Sequence, residues 1–160
     1  MPQIQGLGPK ENTLYEMLFN RAQQQPDSTF IWTKKENEWK SHSWGKIANQ
    51  VKIIASALSQ RGITAGARVA ILSENRIEWI ITDLAIMSIG AISVPLFTTY
   101  TQTDVTYLLS HSGARAIICS NSELTAIAET AAQDSPDCYL MVIMEQSKLL
   151  HHSHNLAIVN

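Results

Sequence analysis

The feature of the sequence that most restricts its fold is a regular alternation of short apolar runs with longer helical patterns. The apolar runs occupy residues 69–72, 91–94, 116–119 and 139–144. A strand that is apolar at successive positions has both of its faces buried, as strands of parallel sheets do. Alternating strands and helices form βαβ units, in which helices cover both faces of the sheet. The sequence therefore predicts an α/β fold built on a layered parallel sheet.

Helix signals fall between these apolar runs. Thr101 and Asp104 have the spacing of a capping box, and Gly113 stands where a helix C-cap is expected. The predicted helices cover residues 76–89, 104–111 and 123–133.

Ahead of the sheet, the sequence predicts a helix and a hairpin. Thr13 and Glu16 have the spacing of another capping box, and Pro26 ends the helix that follows them. Residues 29–33 and 38–42 are short runs rich in aromatic and β-branched side chains, and together they predict a β-hairpin.

A longer helix is expected after the hairpin, with Ser43 as its N-cap and Gly62 as its C-cap. Its apolar positions are spaced by four, three and four residues, as one face of a helix requires. These positions are Ile47, Val51, Ile54 and Leu58.

Composition excludes several classes of protein. Hydrophobic residues make up 45% of the 160 residues and charged residues 16%, which argues for a packed core and against disorder. The net charge of −2 provides no basic surface for nucleic acid. The N-terminus lacks the apolar core of a secretory signal. Cys119 and Cys138 form no C-x-x-C motif and indicate a reducing compartment or simply buried side chains, so we expect a cytoplasmic protein.

One uncharged stretch has the length of a membrane span. Residues 84–103 carry no charge over 20 positions. Gly90 and Pro95 interrupt this stretch, so a helix, a short turn and a buried strand explain it better. The sequence predicts no transmembrane segment, although peripheral association with a membrane stays compatible with it.

A set of dispersed motifs gives the chain a family resemblance. The motifs are Ser43-Trp44, Gly62, Gly66, Arg68-Val69-Ala70-Ile71-Leu72, Glu74-Asn75-Arg76, Glu78-Trp79, Gly90-Ala91, Val94-Pro95-Leu96 and Ser112-Gly113-Ala114-Arg115. In this order they resemble the N-terminal domain of adenylate-forming acyl-CoA synthetases, also called AMP-binding ligases. The S-E-N-R-x-E-W block with P-L-F-T-T looks most like the long-chain fatty acid branch. The resemblance covers residues 12–145.

The resemblance implies a reaction but places none of its catalytic groups in these residues. A complete family enzyme converts a fatty acid, ATP and CoA into acyl-CoA, AMP and pyrophosphate through an acyl-adenylate, and it uses Mg²⁺. The family's phosphate loop, T-S-G-T-T-G-x-P-K-G, is not found here, nor are its Y-G-x-T-E segment, ribose-binding aspartate and C-terminal lysine. Ala67 also stands where the family usually has aspartate. We assign no catalytic, cofactor-binding or metal-binding residue, and we expect the chain alone to be inactive and to hold no ATP, Mg²⁺ or CoA.

These observations predict three segments and a partner. Residues 1–11 are expected to be a flexible N-terminus, residues 12–145 an incomplete part of the large synthetase domain, and residues 146–160 a divergent tail that abandons the alternation. The expected partner is the remainder of a synthetase or a full-length homologue, docked through an open sheet edge. Exposed edges also predict oligomers or aggregates. An unrelated αβ domain that binds a small molecule stays open as another interpretation.

Three short motifs resemble binding sites, but each has an ordinary structural interpretation. Residues 6–10 look like a phosphate loop, yet they follow no strand, so a flexible segment is favoured. Gly62 and Gly66 precede a strand, where a helix C-cap and a turn explain them. The segment His151–His154 could bind a metal, but it has no acidic or cysteine neighbour, and a solvated tail is favoured.

The hydroxyl-rich residues 98–101 follow the end of a strand, where open α/β sheets bind ligands. A turn and the cap of the next helix explain them as well. Trp79 lies on an apolar helix surface, for which core packing is favoured. His42 and His111 lie at the ends of predicted elements, where a capping or surface role is ordinary.

Overall fold

The computed structural model describes residues 12–145 and the backbone of residues 157–159. The chain divides into two units, Met1–Lys52 and Ile53–Asn160, and each is described by itself. The elements in chain order are α1 (Leu14–Gln24), β1 (Thr29–Lys35), β2 (Glu38–Ser43), α2 (Trp44–Gln60), β3 (Arg68–Leu72), α3 (Ile77–Ser88), β4 (Ile92–Leu96), α4 (Gln102–Ser112), β5 (Ala114–Cys119), α5 (Ser122–Gln133), β6 (Leu140–Ile143) and β7 (Ala157–Val159).

Helix α1 begins after Thr13, whose hydroxyl accepts a hydrogen bond from the Glu16 backbone N–H at 3.2 Å. The predicted capping box also requires the Glu16 carboxylate to accept from the Thr13 N–H, and this part of the prediction is wrong. The carboxylate accepts instead from the Asn12 N–H at 2.9 Å. The carboxylate therefore satisfies a donor one residue earlier than the capping box requires. The helix ends at Gln24, ahead of Pro26, as predicted.

The predicted hairpin is confirmed. Strands β1 and β2 pair antiparallel, and Lys35 lies opposite Glu38 at the end of the ladder. Glu36 and Asn37 form the turn, with φ of 50° and 67°. Two consecutive positive φ values are what the favoured two-residue hairpin turn requires, and here they occur without glycine.

Helix α2 has the caps and the apolar face that the sequence predicts. The Ser43 hydroxyl accepts from the Lys46 N–H at 3.3 Å, and Gly62 follows the helix with φ of 85°. From Ile53 onward the helix belongs to the second unit. The buried positions among the four predicted are Ile47, Val51 and Leu58.

The second unit contains a five-stranded sheet in the order β4-β3-β5-β6-β7, and every neighbouring pair is parallel. The predicted α/β fold is therefore confirmed. Strand β3 lies inside the sheet, and Val69, Ala70 and Ile71 on it are fully buried. Side chains alternate between the two faces of a strand, so both faces of β3 must be covered by helices.

One face of the sheet is covered by α4 and α5, which pack side by side. Apolar side chains from both helices and from β3, β5 and β6 form what we call the α4/α5 layer. Its large buried members include Leu72, Val105, Leu109, Ile117, Leu124 and Met141.

The other face is covered by α3 and by the part of α2 that belongs to the second unit. We call this apolar core the α2/α3 layer, and Trp79 packs against it as a partly buried side chain. The predicted core role of Trp79 is thus confirmed. Buried members of this layer include Leu58, Ile63, Val69, Ile71, Ile86 and Ile118.

Residues 146–160 are predicted to be a divergent tail, and the sequence predicts no strand within them. Residues Ala157–Val159 form β7, which pairs parallel with β6, and Leu140 lies opposite Ala157. A short apolar run can join a sheet whose neighbouring strand offers unpaired backbone groups, which local sequence patterns do not reveal. The predicted flexible N-terminus at 1–11, its phosphate-loop candidate and the segment His151–His154 lie outside the described residues.

Strand β4 forms one edge of the sheet and carries a proline. The Ile92 N–H points inward and bonds the Ala67 carbonyl on the β3 side at 2.8 Å. Because backbone groups alternate in direction along a strand, Ser93 and Pro95 face outward. Pro95 has no N–H, so this edge offers few donors to an added strand. The predicted docking through an open sheet edge is therefore disfavoured at β4.

The uncharged stretch at residues 84–103 folds as predicted. It contributes the end of α3, a turn at Gly90 with φ of 73°, and β4. Among residues 12–145 and 157–159, no helix is both long enough and apolar enough to cross a bilayer.

Gly113 provides a test of how α4 is joined to the sheet. It ends α4 with φ of 61°, and Arg68 donates from Nε to the Ser112 carbonyl at 2.7 Å and from Nη2 to the Gly113 carbonyl at 3.0 Å. A Cβ at position 113 would lie 2.5 Å from Arg68 Nη2. We expect Gly113→Ala to lower the free energy of unfolding by about 2–3 kcal/mol, from the left-handed backbone and the weakened arginine bonds together.

The matched control is Gly66→Ala. Gly66 also has a positive φ, 79°, but a Cβ there would meet nothing within 4 Å. It should cost roughly 1 kcal/mol, from the backbone alone. Urea unfolding followed by circular dichroism measures both variants, and equal losses would show that the Arg68 contacts contribute nothing.

Candidate functional site at the carboxyl edge of the sheet

The chain changes direction within the sheet between β3 and β5. From β3 it passes through α3 to β4 on one side, and α4 then returns it past β3 to β5 on the other. In open α/β sheets, ligands bind outside the carboxyl ends of the strands at such a switch point. The residues that follow β3 and β5 are therefore the first place to expect a site.

A group of polar side chains meets at this point, and we call it the edge cluster. It joins the loop after β3, the start of α3, the end of β5 and the second residue after β6. Its members are Glu74, Arg76, Glu78, Ser120, Asn121 and Glu145.

Glu74 connects the loop after β3 to the end of β5. Its carboxylate accepts a short hydrogen bond from the Ser120 hydroxyl and a longer one from Asn121 Nδ2, at 3.4 Å. The Ser120 hydroxyl is the main reason that the pKa of Glu74 lies below its ordinary value of 4.5, and burial opposes this shift. Glu74 is consequently an anion at neutral pH and is held by groups of the protein itself.

Arg76 makes the charged contacts of the cluster. Its Nε donates to Glu78 Oε2 at 2.8 Å, and its Nη1 donates to Glu145 Oε1 at 2.9 Å. The hydrogen bond to Glu78 is the largest cause of the raised pKa of the guanidinium. The Nη1 atom also lies 3.5 Å from the Ser120 carbonyl. One guanidinium thus ties α3 to the ends of β5 and β6.

The hydroxyl-rich residues 98–101 lie beyond the carboxyl end of β4. Thr101 caps α4, because its hydroxyl accepts from the Asp104 N–H at 3.3 Å and the Asp104 carboxylate accepts from the Thr101 N–H at 2.9 Å. The capping interpretation is confirmed for Thr101. The pKa of Asp104 lies below its ordinary value, first because the Thr101 hydroxyl also donates to Asp104 Oδ2 at 2.7 Å and second because the Thr101 N–H donates to the same carboxylate. Phe97, which is 70% exposed, packs edge-on against Tyr100 with ring centroids 5.4 Å apart.

Both cysteines are buried in the α4/α5 layer. Burial raises the pKa of the Cys119 thiol to about 12 and that of the Cys138 thiol to about 11. A thiol acts as a nucleophile or metal ligand in its ionised form, which burial disfavours here. They therefore serve as small apolar side chains, which was one of the two interpretations of the sequence.

The remaining candidates fall into structural roles. Gly62 and Gly66 have φ of 85° and 79°, as the predicted C-cap and turn require. The ring of His42 makes a hydrogen bond with Thr33 Oγ1 at 2.9 Å inside the hairpin. His111 stacks on Tyr107 in the last turn of α4. Within residues 12–145 and 157–159, no three histidine, cysteine or acidic side chains approach closely enough to hold a metal ion.

The edge cluster was not identified as a site from the sequence. The signal for it lies in two polar segments, S-E-N-R after β3 and S-N after β5, each placed directly after an apolar strand. Every charged side chain of the cluster contacts another member of it. Such an arrangement fastens the loops at the carboxyl edge, and its one guanidinium is held by two of its three carboxylates.

Comparison with known proteins gives related sequences. The sequence model of a family described as AMP-binding enzyme matches residues 18–157. A long-chain-fatty-acid–CoA ligase of Mycobacterium bovis is 32% identical over 114 residues, which are 71% of this chain and 19% of that ligase. The chain thus spans about a fifth of the length of such relatives. An uncharacterised protein of Mycobacterium tuberculosis is 27% identical over 110 residues, which are 69% of this chain and 62% of that protein.

A solved structure shares the fold. The coronafacic acid ligase of Pectobacterium brasiliense superposes with a TM-score of 0.78 and 19% identity, over 90% of this chain and 27% of that chain. This likeness concerns the fold alone.

The link between Glu74 and Ser120 predicts a dependence on pH. The pKa of Glu74 is lower in the folded state than its ordinary 4.5, so its contribution to stability is present above about pH 4.5 and is lost as the pH falls through the folded value. Ser120→Ala removes the main donor, so the folded pKa should rise toward 4.5 and the loss of stability in acid should become shallower.

Carbon-detected NMR titration of the glutamate carboxyls and urea unfolding in acid measure these two effects. Ser110→Ala is the control, because the Ser110 hydroxyl contacts Ser135 Oγ at 3.0 Å, away from the edge cluster. A Glu74 titration that is the same in Ser120→Ala and in the unaltered chain would contradict this account.

Proposed function

This chain belongs to the family of AMP-binding enzymes, and we propose that it forms the N-terminal part of a long-chain fatty acid–CoA ligase. The reaction of the whole enzyme would join a fatty acid to CoA at the expense of ATP, through an acyl-adenylate. The observation that carries the proposal is the match to the M. bovis ligase over most of this chain. The parallel sheet supports the same assignment at the level of fold.

We propose that the described residues do not hold ATP, Mg²⁺ or CoA on their own. Binding the phosphates of ATP needs backbone donors from a glycine-rich loop or free cations, and Mg²⁺ needs free carboxylates. At the carboxyl edge, Arg76 is held by Glu78 and Glu145, while Glu74 accepts from Ser120. We propose that these groups have a structural role and that the cofactors of the complete reaction are held by residues outside this chain.

The proposed division of the chain follows the same reasoning. Residues 12–145 would form the part of the synthetase domain that carries the sheet, residues 1–11 a flexible lead, and residues 146–160 a segment of divergent sequence that returns to the sheet as β7. A cytoplasmic setting is proposed because both thiols are free and buried.

The pure chain should release no pyrophosphate when it is mixed with palmitate, ATP, Mg²⁺ and CoA. We expect this because the 160 residues contain no phosphate loop. A coupled pyrophosphate assay measures it, with the M. bovis ligase as the positive control. Release that depends on palmitate and is catalysed by the chain alone would contradict the proposed inactivity.

A chimera tests the proposal that this chain corresponds to the N-terminal part of a long-chain fatty acid–CoA ligase. Residues 12–145 of this chain would replace the matching segment of the M. bovis ligase, and a ligase without that segment is the control. We expect acyl-CoA formation by the chimera and none by the control. A chimera that folds, by circular dichroism, yet forms no acyl-CoA would contradict the assignment.

An interaction module is the alternative. The uncharacterised M. tuberculosis protein favours it, since this chain covers 62% of that protein and only 19% of the M. bovis ligase. The module would dock on a full-length or split synthetase. Co-purification with a synthetase at fixed stoichiometry would support this alternative, whereas saturable binding of ATP by the isolated chain would favour a domain for a small molecule.

A further inference from the structure

An open groove of about 330 Å³ lies within the second unit, on the side of the α2/α3 layer. Its walls come from the last turns of α2 and from α3, and its floor comes from β5 and the end of β6. The principal apolar lining residues are Ile53, Ile54, Ala57, Ile118, Val142 and Met144.

The two faces of the sheet differ in how their helices pack. On the α4/α5 layer the two helices pack side by side, whereas α2 and α3 make at most slight contact with each other. The groove fills the gap between α2 and α3. On its floor, Val142 and Met144 remain only partly buried, although both pack against the α2/α3 layer. Within residues 12–145, this part of the sheet face is therefore incompletely covered.

The chemistry of the groove favours a protein segment over a small polar ligand. Small-molecule pockets place a few free polar groups so that they orient the ligand. Here Arg61 Nη1 already donates to the Ala57 carbonyl at 3.0 Å, and Glu78 accepts from Arg76 at 2.8 Å. Apart from these two groups and the hydroxyl of Thr82, the lining is aliphatic or thioether side chains, as at helix–sheet contacts inside proteins.

The dimensions of the groove suit a helix. Along α2 the lining runs from Ile53 to Leu58, which are five residues or about 7.5 Å apart, and Arg61 follows the end of the helix. A helix that packs on others lies about 8–10 Å from their axes, so one placed between two helices that make little contact with each other can contact both. Ile53 extends the apolar surface at the rim, where it is 60% exposed.

We propose that this groove seats an amphipathic α-helix contributed by the remainder of a synthetase polypeptide. The inference rests on the proposed function and names the surface that this function would use. The matching part of the M. bovis ligase is 19% of that protein, so most of a synthetase lies outside the region that this chain represents. The helix should carry an apolar stripe that faces the apolar lining of the groove.

Photo-crosslinking tests which segment occupies the groove. The probe is the M. bovis ligase without the segment that matches this chain, mixed with the full 160-residue chain carrying benzoylphenylalanine in place of Ile53. The control places it at Tyr107, which is similarly exposed, at 62%, and lies on α4. We expect position 53 to crosslink to a segment with apolar residues at helical spacing, and position 107 to give little product.

Two exposed isoleucines provide a matched pair of variants. Ile53→Glu puts a charge at the rim of the groove, and Ile92→Glu puts one on β4, where the residue is 51% exposed and lies outside the groove. We expect the first variant to weaken capture of the ligase fragment at least tenfold and the second to leave it unchanged. Both should melt as the unaltered chain does, because neither residue belongs to the buried core.

Several results would overturn the proposal. One is that the unaltered chain does not capture the ligase fragment, and another is that Ile53→Glu captures it equally well. A third is that position 53 crosslinks to a second copy of this chain or to a non-helical segment. The last is that palmitate, and not the fragment, protects position 53 from crosslinking. An active chimera combined with any of these would reject the groove alone. An inactive chimera with no capture would reject the proposed function as well.

Discussion

The parallel pairing of β3 with β5 is the contact on which the rest of the second unit depends. The chain can form it only after passing through β4, which lies on the other side of β3. Connections between parallel strands are right-handed, so α3 and α4 must cross on opposite faces of the sheet. The two apolar layers follow from this single reversal, since α3 packs in one layer and α4 in the other. The buried centre of β3 is the result, with Val69 and Ala70 facing opposite layers.

The same reversal explains where the polar residues lie. A crevice opens at the carboxyl ends of β3 and β5, and in many α/β proteins a ligand fills it. Here the edge cluster lies at this point, where Glu74 accepts from Ser120 and Arg76 donates to Glu145. The loops at this edge are thereby held by the protein itself. The sheet thus has a topology that commonly binds ligands, but the polar side chains nearest its switch point contact one another.

Much of this fold could be predicted from local patterns, and the exceptions share one physical cause. The strands, the helices and the hairpin follow from apolar periodicity and from caps such as Ser43 and Gly113, which act within a few residues. In the edge cluster, Glu74 and Ser120 are separated by 46 positions in the sequence, and Arg76 and Glu145 by 69. Their contacts therefore depend on the order of the strands and not on local spacing in the sequence. Strand β7 was missed for the same reason, because its partner β6 supplies the pairing that three residues cannot specify alone.

The β4 edge of the sheet and the groove beside α2 differ in what they can accept. An added strand needs a row of backbone donors and acceptors, and at the β4 edge Pro95 removes one of the outward donors. The groove beside α2 needs only apolar side chains of matching shape, and Val142, Met144 and Ile53 provide these without any unpaired backbone group. Completion of this domain by further protein is therefore easier by packing a helix onto the α2/α3 layer than by extending the sheet past β4. Because the β4 edge is protected by Pro95 and the apolar α2/α3 layer is partly exposed, further protein is expected to pack on that layer. The packing segment can belong to the same polypeptide or to another.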